Sequence, residues 1–284
     1  MKCPLCNSQS KFAFKSKGFN ILDCQSCSHR FAEIEADNKH VDNVYNDSYF
    51  NGGGGGYSDY LVESELLQKR GQMYSKKIAK FQNNKGRILD VGAAAGFVLK
   101  GYVDDGWSGI GLEPNNSIAK VGTEKLGLDI RQNALETFKT EEKFDLISMI
   151  QVVAHFYDQR ASFENASNLL KENGLLLIET WNRDSISAKM FGKNWHEYSP
   201  PSVLQWFSLS GLTDFLKEFG FVKIGDGRPS KKISGKHAKS LLKHTIGNNF
   251  LLNLIPEKIN FPYPSEDLFW ALYRKKSTNN DIDS

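Results

Sequence analysis

Four cysteines fall within the first 27 residues, as Cys3-Pro-Leu-Cys6 and, after 17 intervening residues, Cys24-Gln-Ser-Cys27. Two residues between cysteines let one tight turn aim both sulfurs at a single ion. Four thiolates then close a tetrahedron and leave no open position for catalysis. Two disulfides and a redox pair are the alternatives. A reducing compartment disfavours the first, and a redox pair accounts for one CxxC but not for two at this separation. A structural Zn2+ held by Cys3, Cys6, Cys24 and Cys27 is therefore expected. His29 stands close by, but four sulfurs saturate the ion, so His29 reads as a surface residue. About 35 residues bury too little apolar area to fold alone, which gives the metal its purpose. Phe12–Phe14 and Phe19–Leu22 read as a small hairpin across it, a zinc ribbon.

A second group with chemistry begins at Asp90-Val-Gly92-Ala-Ala-Ala-Gly96. The apolar run Ile88–Val91 opens here into glycines and alanines that let backbone approach a ligand closely. Glu113 ends the next apolar run, 23 residues after Asp90. A carboxylate at that place can accept both hydroxyls of a ribose. A dinucleotide needs G-x-G-x-x-G to seat its pyrophosphate. Counted from Gly92, that pattern requires glycine where Ala94 and Phe97 stand. A ligand with a ribose and no pyrophosphate fits better, and S-adenosylmethionine is such a ligand; NAD is not expected to bind.

The elements that must hold these residues alternate. Strands are expected at Ile88–Val91, Gly109–Leu112, Phe144–Ile150 and Leu175–Ile178. Helices are expected at Phe97–Val103, Asn115–Leu126 and Phe163–Leu170. Strands alternating with helices imply a mostly parallel sheet covered on both faces, an α/β class. Ahead of it, Ser58–Phe81 has apolar residues at helical spacing. After it come a helix at Thr213–Phe219, a strand at Phe221–Ile224, a basic helical insertion and a last strand at Leu268–Tyr273. Between the ribbon and the first helix, Gly52–Gly56 is an unbroken glycine run. No Gly-Lys-Ser/Thr follows it, so it is not a P-loop. It reads as a flexible loop, or as a hinge on which Tyr57 and Tyr60 close over a ligand.

Composition sets the outer limits. With 40% hydrophobic and 24% charged residues over 284 positions, the chain has ample apolar surface for a core, which excludes disorder as its main state. The run Leu175–Ile178 is far short of the roughly 20 apolar residues of a spanning helix. Met1 and Lys2 lead straight into Cys3 with no apolar stretch, so a cytoplasmic location is expected. The net charge of +3 argues against a surface given over wholly to nucleic acid. The charge is uneven, however. Residues 227–256 contain no Asp or Glu, and Arg228, Lys231, Lys232, Lys236, Lys239 and Lys243 lie there.

Ile88-Leu-Asp90-Val-Gly92-Ala-Ala-Ala-Gly96, Gly111-Leu-Glu113-Pro114, Phe144-Asp145-Leu-Ile-Ser148 and Leu170-Lys-Glu-Asn-Gly174 together resemble the class I S-adenosylmethionine-dependent methyltransferases, over roughly residues 57 to 225. The resemblance implies a Rossmann-like fold with an N-terminal zinc ribbon. Asp90, Gly92, Ala94 and Gly96 would line the methionine end of the cofactor, Ala94 standing where the family usually has glycine. Glu113, followed by Pro114, would hold the ribose. Asn133 falls where the family usually has an aspartate against the adenine, and Gln151 would lie near the sulfonium. His155, at the mouth of the sheet, is the first candidate for a general base. Tyr157 and His196 are further candidates, the latter in the rigid aromatic insertion Asn194–Pro201 that commonly shapes the acceptor pocket.

Two subfamilies join a zinc ribbon to this fold. One resembles sugar methyltransferases acting on nucleotide-linked sugars, which carry a further C-terminal domain not seen in this shorter chain. The other resembles ribosomal RNA guanine methyltransferases, whose ribbon typically has a histidine where Cys27 stands. The first favours a small or glycan-type acceptor, such as a nucleotide-sugar, a polysaccharide or a related metabolite. The second would use ribbon and basic insertion to hold RNA. A non-catalytic protein that senses cofactor and docks a partner is the third reading. The expected organisation is a ribbon at 1–35, a linker, aromatic lid and helix at 36–82, a methyltransferase domain at 83–276 with the basic helical insertion at 227–262, and a tail at 277–284.

Overall fold

A computed structural model describes residues 1–50, 60–235, 239, 255–256, 259–263 and 265–277. The chain begins with three short strands, β1 (Ser10–Ser16), β2 (Phe19–Cys24) and β3 (Arg30–Ala32), paired antiparallel in sequence order. Two small helices follow, α1 (Asn38–Val44) and α2 (Asp47–Phe50), and then the long α3 (Ser64–Ile78). The alternating part runs β4 (Arg87–Val91), α4 (Phe97–Asp104), β5 (Ser108–Leu112), α5 (Asn116–Leu126), β6 (Asp129–Arg131), β7 (Phe144–Ile150), α6 (Gln159–Leu169) and β8 (Leu170–Trp181). It continues through α7 (Ile186–Phe191), β9 (Gln205–Trp206), α8 (Leu209–Lys217), β10 (Phe221–Gly227), β11 (Lys231–Ser234), β12 (Asn260–Tyr263) and β13 (Leu268–Lys275).

The central sheet has the strand order β10-β13-β8-β7-β4-β5-β6. Its β8, β7, β4, β5 and β6 are parallel, while β13 runs antiparallel to both β8 and β10. This is the expected Rossmann-like, mostly parallel sheet. Both faces are covered, so β4 and β8 read as continuous buried runs rather than alternating ones. Helices α3, α4 and α5 pack on one face, with Tyr74, Tyr102 and Ile118 in the core. Helices α6 and α8 pack on the other, with Phe163 and Phe215. The strand order reverses between β4 and β7, and the crevice outside their carboxyl ends is where ligands bind in open sheets.

Close packing of α3 on α4 depends on two glycines. A side chain at Gly71 would run into the backbone of Val98, and one at Gly101 into the backbone of Gln68. Capping fixes α5: the Asn115 side chain accepts from the Ile118 amide, and Gly127 closes the helix in the left-handed region.

The ribbon residues share their core with the larger sheet. Leu5, Leu22 and Phe31 bury in the same cluster as Phe163 and Leu212. The short β9, arriving from residue 205, pairs with β3 and makes the ribbon a four-stranded sheet. This overturns the surface reading of His29. Its ring is buried between Phe31 and Phe207 and bonds Gln205 Oε1 at 2.6 Å, and burial lowers its pKa to about 4.

The basic insertion opens on a strand, residues 231–234 paired with β12, where a helix was expected, while residues 235 and 239 are helical. Residues 240–254 and the tail from 278 lie outside the described residues. Among the described residues no helix is long and apolar enough to cross a membrane.

Candidate functional site

At the carboxyl end of β4 the chain turns through three left-handed residues, Gly92 (φ +70°), Ala94 (φ +47°) and Gly96 (φ +77°). A Cβ at Gly92 would stand 2.7 Å from Val152, and one at Gly96 would stand 2.7 Å from both Leu128 and Ile130. Glycine is thus required at both places by conformation and by space. Glu113 comes from the end of β5 and closes this loop from the side. Its Oε2 accepts from the Ala94 amide and its Oε1 from the Asn115 amide, both at 2.9 Å. The carboxyl is 5% exposed, and burial raises its pKa to about 7 against the pull of the two amides. Each oxygen keeps a second lone pair, so the group can still accept from ligand hydroxyls. Pro114 follows at the start of the turn that Asn115 caps.

Beneath the loop lies a buried polar network. Asp90 is in register with Ser148 on β7, and burial raises its pKa to about 7. The Ser148 and Tyr102 hydroxyls are buried beside it, and Ser148 holds the Asp90 carboxyl down against that burial. One strand further on, Glu179 is fully buried at the carboxyl end of β8. Arg70 of α3 pairs with it, through Nε at 3.2 Å and more tightly through its terminal nitrogen. The Tyr74 hydroxyl and Gln151 Nε2, the latter at 3.2 Å, also donate to this carboxylate. Gln151, left-handed at φ +57°, is thereby tied to β8 at the rim of the crevice.

His155 lies one short turn beyond Gln151. Its Nδ1 is 2.7 Å from the Ser202 carbonyl and 2.9 Å from the Tyr45 hydroxyl. Burial lowers its pKa, so the ring is neutral at pH 7. The Tyr45 carbonyl accepts from Asn115 Nδ2 at 2.8 Å, which fastens the segment after α1 to the Glu113 loop. The structure therefore brings Asp90, Gly92, Ala94, Gly96, Glu113, Gln151 and His155 to one edge of the sheet.

The remaining candidates stand around that edge. Asn133 follows β6, its Oδ1 accepting from Thr137 at 2.8 Å. Tyr157 is half-buried, and its amide donates to Glu136 Oε1 at 3.1 Å. Burial raises the Glu136 carboxyl to about 7, and burial together with that neighbouring charge raises the Tyr157 phenol to about 12. The His196 side chain is about half exposed, lies 2.8 Å from Glu197 Oε1 and stands edge-on to Trp181. Tyr57 and the glycine run, expected as a lid, lie outside the described residues.

The four cysteine sulfurs lie within 4.8 Å of one another, with Cys3–Cys27 at 3.6 Å and Cys6 at 3.4 Å from both Cys24 and Cys27. None of the four is joined in a disulfide. A tetrahedral zinc with Zn–S near 2.3 Å would separate its sulfurs by about 3.8 Å, so the donor set suits a closed, structural ion.

Sequence reasoning missed Arg70, Tyr74, Glu179, Tyr102, Glu136 and Tyr45. One signal was present: Glu179 ends the run Leu175-Leu-Leu-Ile, and a carboxylate on a buried strand must find a cationic partner.

The sequence profile of the family described as "Methyltransferase domain" matches residues 66–224. A "Ubiquinone biosynthesis O-methyltransferase" of Rhodopseudomonas palustris (strain HaA2) is 29% identical over 147 residues, 48% of this chain and 58% of the relative. One of the same name from Pelagibacter ubique (strain HTCC1062) is 30% identical over 170 residues, 58% of this chain and 65% of the relative. The chain thus spans less than two thirds of either. Among solved structures, the magnesium protoporphyrin IX methyltransferase of Synechocystis PCC 6803 with bound SAH aligns at TM-score 0.56 and 12% identity, over 84% of this chain and 100% of that one. A SAM-dependent methyltransferase of Archaeoglobus fulgidus aligns at TM-score 0.52 and 15% identity, over 76% and 99%. At these identities the likeness is one of fold. The family match runs from α3 into β10, more than half of the chain, and the chain belongs to the methyltransferase-domain family.

Proposed function

We propose that the chain is an S-adenosylmethionine-dependent methyltransferase acting on a hydroxyl of a small-molecule acceptor. The observation that carries this reading is Glu113 closed against the glycine loop at the switch point of the sheet. Each Glu113 oxygen is bonded to one amide and keeps a lone pair that fits a ligand hydroxyl. In this reading Asp90, Gly92, Ala94 and Gly96 hold the methionine end, Glu113 the ribose and Asn133 the adenine edge. Gln151 borders the sulfonium.

The cofactor, when bound, supplies a methyl group already activated by the positive sulfur. The protein's tasks are then position, exclusion of water and removal of one proton. Glu113 and the loop amides fix the ribose and hence the direction in which the methyl points. His155, neutral by burial, takes the acceptor hydroxyl's proton as the oxygen attacks. Tyr157 and His196 border the acceptor side. The curated relatives, named for O-methylation in ubiquinone biosynthesis, support a small hydroxylated acceptor. A nucleotide-linked sugar or glycan is the narrower class that the ribbon brings to mind. The zinc is structural and the protein cytoplasmic in this account.

The test is transfer of labelled methyl from S-adenosylmethionine to a panel of catechols, quinol precursors, nucleotide-sugars and short RNAs. Label entering a small hydroxylated acceptor supports the reading. Label entering RNA alone, or a cofactor bound and never turned over with any acceptor, contradicts it.

A further inference from the structure

The surroundings of His155 specify which of its nitrogens carries the proton. Nδ1 faces the Ser202 carbonyl at 2.7 Å, and a carbonyl only accepts. The Tyr45 hydroxyl lies 2.6 Å from that carbonyl and 2.9 Å from Nδ1. Consider first a ring with its proton on Nε2. The bare Nδ1 lone pair would then oppose the carbonyl oxygen at 2.7 Å, and the single tyrosine proton could relieve only one of the two. With the proton on Nδ1, every group is satisfied. Nδ1–H donates to the Ser202 carbonyl, and Tyr45 O–H donates to the second lone pair of the same oxygen. The Gln151 carbonyl also faces the ring and, like that of Ser202, favours its protonated form against burial.

Tyr45 is itself held. It is half-buried, its ring stands edge-on to His155 at 5.7 Å and to Tyr49 at 5.0 Å, and its carbonyl is bonded by Asn115. Asn115 is also the residue whose amide binds Glu113. One residue thus connects the loop that would hold the ribose with the histidine on the acceptor side.

We propose that the Ser202 carbonyl, its second lone pair taken by the Tyr45 hydroxyl, positions His155 as the Nδ1–H tautomer and leaves Nε2 as the bare nitrogen that serves as base. A second-shell hydrogen bond that selects a histidine tautomer is a general device. This inference rests on the methyl-transfer reading for its purpose, but its geometry stands apart from it.

The experiment is nitrogen-15 NMR of histidine-labelled protein at a pH where the ring is neutral, with His155→Gln assigning the signal. In the wild type the two ring nitrogens of His155 should report one resolved form, Nδ1 protonated and Nε2 bare. In Tyr45→Phe the hydroxyl that could donate to a bare Nδ1 is lost while the Ser202 carbonyl remains, so the Nδ1-protonated form should persist. Affinity for S-adenosylhomocysteine should stay that of the wild type. A proton on Nε2 in the wild type, or its movement there in Tyr45→Phe, overturns the proposal. Failure of the wild type to bind S-adenosylhomocysteine would instead overturn the methyl-transfer reading and leave the tautomer result standing.

Discussion

Arg70 and Glu179 meet across 109 residues of sequence as an ion pair whose side chains are 11% and 0% exposed. The pair joins α3 to the end of β8, and Tyr74 and Gln151 complete the carboxylate's bonding. Removing only the cation strands a buried charge, so Arg70→Met should cost about 3–5 kcal/mol of stability in chemical denaturation. Adding Glu179→Gln to that variant should recover most of the loss. A single mutant as stable as the wild type would show that the pair does not hold this corner of the site.

The loop residue Ala94 sits at φ +47°, where an L side chain is strained by about 1–2 kcal/mol. Glycine relieves that strain but gives the unfolded chain more freedom, which returns roughly 0.4–1 kcal/mol. Ala94→Gly should therefore raise stability slightly, with its amide still bonded to Glu113. A clear loss of stability in a thermal melt would contradict the loop conformation.

Ionisation gives a test with a definite sign. Burial raises the Glu113 carboxyl to about 7 in the folded chain, against about 4.3 when unfolded. The protonated form is thus favoured by folding. Its contribution is complete below the unfolded value and is lost as pH rises through about 7. His29 and His155 act the other way, since burial lowers both and their contribution is lost as pH falls. Glu113→Gln isolates the carboxyl. In the ligand-free protein this variant should gain on the wild type between about pH 4 and pH 7. A difference in melting temperature that does not change with pH would mean that Glu113 titrates normally.

Much of this was legible in the sequence for physical reasons. β4, β5 and β7 are buried apolar runs, and Gly92 and Gly96 mark a turn that only glycine fits. β6 was not legible, because it is three residues long and two of them, Asp129 and Arg131, are charged. β9 was not legible either: Gln205–Trp206 is a strand only because β3 offers it an edge. The same pairing buries His29, which nothing local could reveal. Glu179 declared a need for a partner, yet its identity as Arg70 depends on how α3 lies across the sheet. The basic stretch read as a helix begins as a strand because β12 returns to pair with it.

The shared core also changes what loss of metal should do. Cys3 and Cys24 are buried beside Leu5, Leu22 and Phe31 in the main cluster, so the ribbon is not expected to melt by itself. One zinc per chain should appear in elemental analysis. Chelation should destabilise the whole chain in one calorimetric transition, by on the order of several kcal/mol. Absence of stoichiometric metal, or a chelated protein that melts as before, would contradict a structural zinc.

The most direct measurement is calorimetric titration of the wild type and Glu113→Ala with S-adenosylhomocysteine, with NAD as control. The account expects one site per chain on the wild type and no heat with NAD. In Glu113→Ala the loss of charge-assisted bonds to the ribose hydroxyls should weaken binding by about 1.5–3 kcal/mol. No binding to the wild type, or an alanine variant that binds as tightly, would contradict the assignment of this loop and this carboxylate to the cofactor.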